Sequence, residues 1–333
     1  MNRIATLFLT TLMFTLVFAG CQRKDLLDPH DHHNLYIKAN FDDHALSQLL
    51  SNKSDGYTQP GEPKSTSYIL YEKNSQKIAY KGDFQRLEGG LYVREGIYDL
   101  LVYTSDFNEY DANFYINMDS KDVAETYTRQ SPIDQGPRSD IKEVYMVEPD
   151  PTFSALYEDI MVLRGEEDKV VNVEFVQKSF KYYLTIKCTG LYNIHTAQMN
   201  ISGMYTSAYL TNEDHRMDES GTQTVEFTIR QYDDEESRKL GKGELYGEFW
   251  SFGPNQREDI LNSIVLYFVN GDTIIMDEDA LRNHGVEVVD NIKDLEKGGE
   301  IKVEGELPIK GPPGGFQPGV GDWDKPTDVE MIL

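Results

Sequence analysis

Ile264-Val265-Leu266-Tyr267-Phe268-Val269 and Asp272-Thr273-Ile274-Ile275-Met276, joined by Asn270-Gly271, form the stretch whose reading decides the fold. Both runs are rich in β-branched and aromatic side chains, which suit a pleated, half-buried surface. Both are too short for a helix with its own apolar face. Asn-Gly supplies the positive backbone angles of a tight hairpin, so the two runs predict paired antiparallel strands.

The same pattern recurs outward in both directions. Val225-Glu226-Phe227-Thr228-Ile229 alternates apolar and polar, and residues 196–202 and 206–210 are strand-like. Residues 179–188 and Val170-Val171-Asn172-Val173-Glu174-Phe175-Val176 read as strands that open a second half. In the first half, Gly96-Ile97-Tyr98-Asp99-Leu100-Leu101-Val102-Tyr103 is short, apolar and bounded by turn residues, the signature of a buried strand. Residues 67–71 and 77–80 predict a strand pair around Lys73-Asn74-Ser75. Gly89-Gly90 precedes Leu91-Tyr92-Val93, and Leu35, Ile37 and Ala39 alternate with Tyr36 and Lys38. Short apolar runs lie at 144–147 and 160–163, with a polar, irregular stretch from 104 to about 142. A late strand covers 301–309, and a Gly/Pro loop at 311–321 leads to an alternating segment at 329–332. Helical signal is confined to two-turn candidates at 42–50, 277–282 and 291–296. Many short strands without a βαβ rhythm predict a mainly all-β chain of β-sandwiches.

The first twenty residues differ from all of this. Arg3 is followed by residues 4–19, apolar apart from four threonines, and Ala19-Gly20 offers small side chains for a signal peptidase. The run is shorter than the roughly 20 residues of a comfortable spanning helix. Cys21 follows at once, then Gln22-Arg23-Lys24-Asp25. Phe18-Ala19-Gly20-Cys21 resembles the lipobox of bacterial lipoproteins, with Phe18 where Leu is usual. The resemblance implies acylation of the Cys21 thiol, and attachment to a membrane by lipid. The expected organisation is a signal peptide at 1–20, a lipidated tether at 21–33, an N-terminal sandwich at 34–166 and a C-terminal sandwich at 167–333.

Charge narrows the partners. Fifty-seven acidic residues against 32 basic ones give a net charge of −25, which argues against nucleic acid and anionic headgroups. With Cys21 lipidated, Cys188 has no disulfide partner. It lies in phase with Tyr182, Leu184 and Ile186, as a small buried apolar side chain would.

Motifs for chemistry are sparse. His30-Asp31-His32-His33, with Asp25 and Asp28, has the donor types of a transition-metal site. Adjacent histidines on a tether cannot fix a coordination geometry alone, so a polar spacer is the expectation, and no metal or cofactor is assigned. Asp233-Asp234-Glu235-Glu236 and Asp277-Glu278-Asp279 lack the alternate spacing and glycine of a calcium loop and read as solvated turns. Ser139 and Lys142 have Ser-x-x-Lys spacing without its companion motifs. No nucleophile elbow or phosphate loop is present, and the reading is a non-enzyme. Trp250 and Trp323 are either packing residues or sugar platforms.

The Cys21-Gln22-Arg23-Lys24-Asp25-Leu26 segment, the histidine tract, the strand at 35–39, the 96–103 strand and the closing Asp322-Trp323 resemble fimbrillin-like lipoproteins of Bacteroidales. The resemblance implies two tandem transthyretin-like β-sandwich domains on a lipid-anchored outer-membrane protein at the cell surface. It further implies anchoring or assembly of fimbriae, or adhesion, with fimbrial or other surface subunits as partners. The physical means is sheet-edge pairing, for which residues 327–333 are a candidate donor or self-complementing strand. The alternative is a surface glycan-binding lipoprotein of a polysaccharide-uptake system.

Overall fold

A computed structural model describes residues 34–41, 65–105, 113–128, 145–163, 168–212, 220–257, 260, 262–288 and 292–310. The described chain is predominantly β, built on two sandwich cores.

The N-terminal core lies between two sheets. In one, β1 (Leu35–Asn40) sits between antiparallel β4 (Glu88–Leu91) and parallel β10 (Lys169–Glu174). The other is antiparallel, in the order β11 (Val176–Gln177), β9 (Phe153–Val162), β5 (Gly96–Ser105), β2 (Ser65–Glu72) and β3 (Ile78–Phe84). The alternation read from the sequence becomes geometry here. Leu35, Ile37 and Ala39 of β1 and Val171 and Val173 of β10 face Tyr98, Leu100 and Val102 of β5. The opposite side of β5 carries Leu101, which packs with Ile69, Tyr71, Ala124 and Leu210. That second cluster lies under a small sheet of β14 (Ser207–Tyr209), β7 (Glu125–Thr128) and β6 (Asn113–Ile116). A 3-10 turn, Lys121–Val123, leads into β7.

The C-terminal core lies between two further sheets. In the first, β12 (Phe180–Thr189) pairs antiparallel with β17 (Gly243–Ser251), whose other neighbour is β16 (Thr228–Gln231). Two short strands, β21 (Gly299–Ile301) and β23 (Glu306–Pro308), add parallel to β12. The second sheet runs β19 (Thr273–Asp277), β18 (Asn262–Phe268), β13 (Ile194–Tyr205), β15 (Ser220–Glu226) and β8 (Tyr145–Met146). Between β21 and β23 the chain forms β22 (Val303–Glu304), paired with β20 (Glu287–Val288). Gly305 follows at φ 97°, where a Cβ would stand 2.0 Å from the Gly285 carbonyl oxygen, so only glycine fits. Two helices, α1 (Glu235–Leu240) and α2 (Glu278–Asn283), complete the described elements.

The deciding hairpin forms as expected, with Val265 opposite Ile275 and Tyr267 opposite Thr273. Its turn is looser than the two-residue reading. The Gly271 N–H donates to the Phe268 carbonyl and Phe268 N–H to that of Asp272, and of the turn residues Gly271 alone has positive φ, 89°. This is a three-residue loop closed by a glycine bulge.

Several other expectations are corrected. The run 225–229 is two strands in different sheets, because Phe227 bonds to the Ala197 carbonyl at the point where the chain changes layer. The run 301–309 likewise splits into β21, β22 and β23. Gly89 and Gly90 lie inside β4 rather than before it. The irregular stretch holds β6 and β7, and residues 292–294 form turns, not a helix.

The largest correction concerns exchange between the halves. The 170–176 run, read as opening the C-terminal sandwich, pairs with β1 and packs in the N-terminal core, so that sandwich begins at β12. In return the 144–147 run supplies β8 to the C-terminal sandwich, where Met146 joins the core. The expected helix at 42–50 and strand at 329–332 lie outside the described residues.

Candidate functional site

The residues singled out in the sequence fall into two groups. Cys21, the His30–His33 tract with Asp25 and Asp28, Ser139, Lys142, Trp323 and the segment 327–333 lie outside the described residues. The others can be placed.

Cys188 sits inside the C-terminal core, and burial pushes its thiol up to about 12, as suits an inert packing residue. The two acidic runs cap helices. Asp234 accepts from Ser237 N–H at 2.9 Å and Asp277 from Ala280 N–H at 2.9 Å, each at the first turn of a short helix. Among the described residues no group of three or more His, Cys, Asp or Glu is placed to hold a metal. No helix among them is long and apolar enough to cross a membrane.

Trp250 is 5% exposed, which removes it as a sugar platform. It lies on β17 beside Phe249, and the two point opposite ways, as neighbours on a strand must. Phe249 stacks on Tyr182 in the C-terminal core, with ring centroids 5.3 Å apart, whereas Trp250 packs into the N-terminal core. The Trp250 N–H donates to a Glu148 carboxylate oxygen at 2.7 Å. Glu148 as a residue is exposed, but its carboxyl tip is turned into the junction between the halves, where Lys181 and Glu248 form an ion pair at 3.4 Å. Burial first, and then the charges of Glu248 and Asp150, push the Glu148 carboxyl up to about 7, against the pull of the Trp250 N–H and Lys181.

The consequence has a definite sign. The folded state holds this proton more tightly than the unfolded chain, whose carboxyl titrates near 4.5. The group therefore costs nothing below that pH, costs progressively more up to about 7, and has a constant cost above. Glu148→Gln keeps an oxygen for Trp250 and removes the charge. Its stability relative to the parent is expected to rise between pH 4.5 and 7 and then level off, as read by urea unfolding across that range. A difference that does not vary with pH would refute the assignment.

Sequence reading missed a cluster of charges on the outer side of β5. Asp99 is fully buried, and its Oδ1 accepts from Lys73 Nζ at 3.1 Å and from Asp159 N–H at 3.1 Å. Lys121 Nζ stands 2.7 Å from Asp99 Oδ2 and also bonds Glu158. Asp159 has φ 59° at a bulge in β9, which aims its N–H at Asp99. Burial raises the Asp99 carboxyl, but the bonds from Lys121, Asp159 and Lys73 outweigh it and hold it below the ordinary range. Asp99 in an otherwise apolar run was the available signal, since a central strand does not bury a carboxylate without partners.

The surface offers one further feature, the edge of the hairpin sheet. Among the described residues no strand lies beyond β19. Ile275 is 46% exposed there, and Val269 at the turn 71%. β19 has no Pro, Lys or bulge, three of the devices that blunt an edge, though it is short and ends in Asp277.

Fold and surface together define a two-sandwich β protein with interlocked halves and, among the described residues, an open sheet edge at β19. The chain belongs to the domain-of-unknown-function family DUF5119, whose model matches residues 20–226. A solved structure of a candidate adhesin from Bacteroides ovatus is similar, with TM-score 0.54 and 17% identity over 88% of this chain and 98% of that one. The fimbrial anchor protein Mfa2 of Porphyromonas gingivalis aligns at TM-score 0.40 and 10% identity, covering 79% and 87%. No curated protein matches the sequence. The fold shared with the Bacteroides ovatus protein is the one implied by the resemblance to fimbrillin-like lipoproteins.

Proposed function

We propose that this chain is a non-enzymatic cell-surface lipoprotein that adheres to, anchors or helps assemble fimbrial or other surface subunits. Lipid on Cys21 tethers it to the outer membrane after removal of residues 1–20, and residues 21–33 are the leash. Association runs through a sheet edge. The observation that carries this reading is the β19 edge, beyond which no strand lies among the described residues, on a fold shared with the candidate adhesin. Backbone groups along such an edge add a partner strand, and the exposed Ile275 side chain gives it register. The buried Trp250 removes one of the sugar platforms on which the glycan-binding alternative rests.

The test uses the full chain in its own cells. Cys21→Ser is expected to abolish labelling by a palmitate analogue and to release the protein from the membrane fraction. Ile275→Lys is expected to leave folding and membrane retention intact while reducing recovery of fimbrial subunits in surface-sheared complexes about tenfold or more, the loss given by about 1.4 kcal/mol. Unchanged recovery would sink the edge reading. Unchanged membrane retention of Cys21→Ser would sink the tether.

A further inference from the structure

The charge cluster on β5 has the parts of a self-forming covalent bond, and we propose that Lys121 and Asp99 join as an isopeptide amide that staples the 113–128 insert to the sheet beneath it. Four observations carry this. The pair is shielded, with the Asp99 side chain 0% and that of Lys121 11% exposed. Lys121 Nζ lies 2.7 Å from Asp99 Oδ2, the one ion-pair contact that Oδ2 makes among the described residues. Glu158, on the strand next to Asp99, bonds the same nitrogen and can accept its proton. Finally, Asp99 Oδ1 carries two fixed donors, Asp159 N–H and Lys73 Nζ.

These roles compose a balanced step. Glu158 takes a proton from the Lys121 ammonium and passes it to Asp99 Oδ2. The neutral amine attacks Cγ, and negative charge moves to Oδ1, where the two donors stabilise it as an oxyanion hole does. Glu158 carries a second proton from the attacking nitrogen to Oδ2. The Cγ–Oδ2 bond breaks, water leaves, and Oδ1 returns to a carbonyl. One C–N bond replaces one C–O bond, Glu158 ends as it began, and an ion pair of zero net charge becomes a neutral amide. The Asp99 side chain that loses the water is fully buried, and Lys121 Nζ is held 2.7 Å from the leaving oxygen.

The sequence makes the test unambiguous. Asp99 and Lys121 lie in one tryptic peptide, 95–121, followed by 122–129. In the full chain isolated from membranes, linkage blocks cleavage at Lys121 and yields a single peptide 95–129 that is one water lighter than its sequence mass. Lys121→Arg keeps the positive charge and is expected to give 122–129 as a separate peptide at full mass. Glu158→Gln is expected to accumulate the unlinked form. Free 95–121 and 122–129 from the parent protein, with no water lost, would overturn the bond. Complete linkage in Glu158→Gln would overturn the proton-transfer role of Glu158.

Discussion

Trp250→Ala is expected to lower stability by about 3–5 kcal/mol, the usual cost of emptying a large aromatic site, and to do so for both sandwiches at once. The side chain is 5% exposed and fills the N-terminal core, whereas its strand belongs to the C-terminal sandwich, where β17 pairs with β12 over nine residues. Phe249 next to it anchors that strand in the other core. A cavity at Trp250 therefore weakens the N-terminal core and the seating of β17 in the same event. Calorimetry and urea unfolding, followed by tryptophan-independent probes, should give one shifted transition. Two transitions with only the N-terminal one displaced would contradict the coupling.

Separated halves are expected to fail more completely. Chains ending at residue 178 or beginning at 179, expressed alone, should lack cooperative unfolding and recover it on mixing. The N-terminal half would carry β8 without β15 and β7 without β14. It would also lose Leu210 from the cover over Ile69, Tyr71 and Leu101, and the Ser154 hydroxyl would lose the Leu210 carbonyl it donates to at 2.5 Å. The C-terminal half would expose the edge of β15 where β8 pairs in the whole chain, an invitation to aggregation. Amide exchange on each half against the whole chain measures this directly. Native protection in an isolated half would show that the exchanged strands are dispensable.

What the sequence made legible follows from range. The hairpin at 262–277 depends on neighbours in the chain and on one glycine, so its pairing could be read directly. The alternation in Leu35, Ile37 and Ala39 showed which side of β1 is buried. Which strand lies beside β1 is a different matter. Val171 and Val173 would satisfy either core, and nothing local distinguishes a partner from the same half from one in the other. The same applies to Tyr145 and Met146. Sheet changes at Phe227 and Gly305 were hidden because alternation continues across them while the hydrogen-bond partner changes. Sequence alone allows Trp250 to be packing or a platform, and its burial in the opposite core decides for packing. The acidic runs read as solvated turns in the sequence, and in the structure two of their aspartates cap helices, which short-range chemistry explains. The Asp99 cluster joins the turn after β2, β5, β9 and the 121–123 turn, positions that no spacing rule connects.

The place of β1 has a mechanical meaning. It is the first described strand, and it is clasped on both flanks, by β10 in parallel over six residue pairs and by β4 in antiparallel over four. Ladder hydrogen bonds lie across the strand direction. A pull arriving along the chain at residue 34 therefore loads both ladders in shear, with many bonds sharing the force before any yields. An edge strand pulled sideways would instead peel open bond by bond. For the N-terminal tether proposed above, that geometry would set a high rupture force at the point where traction enters.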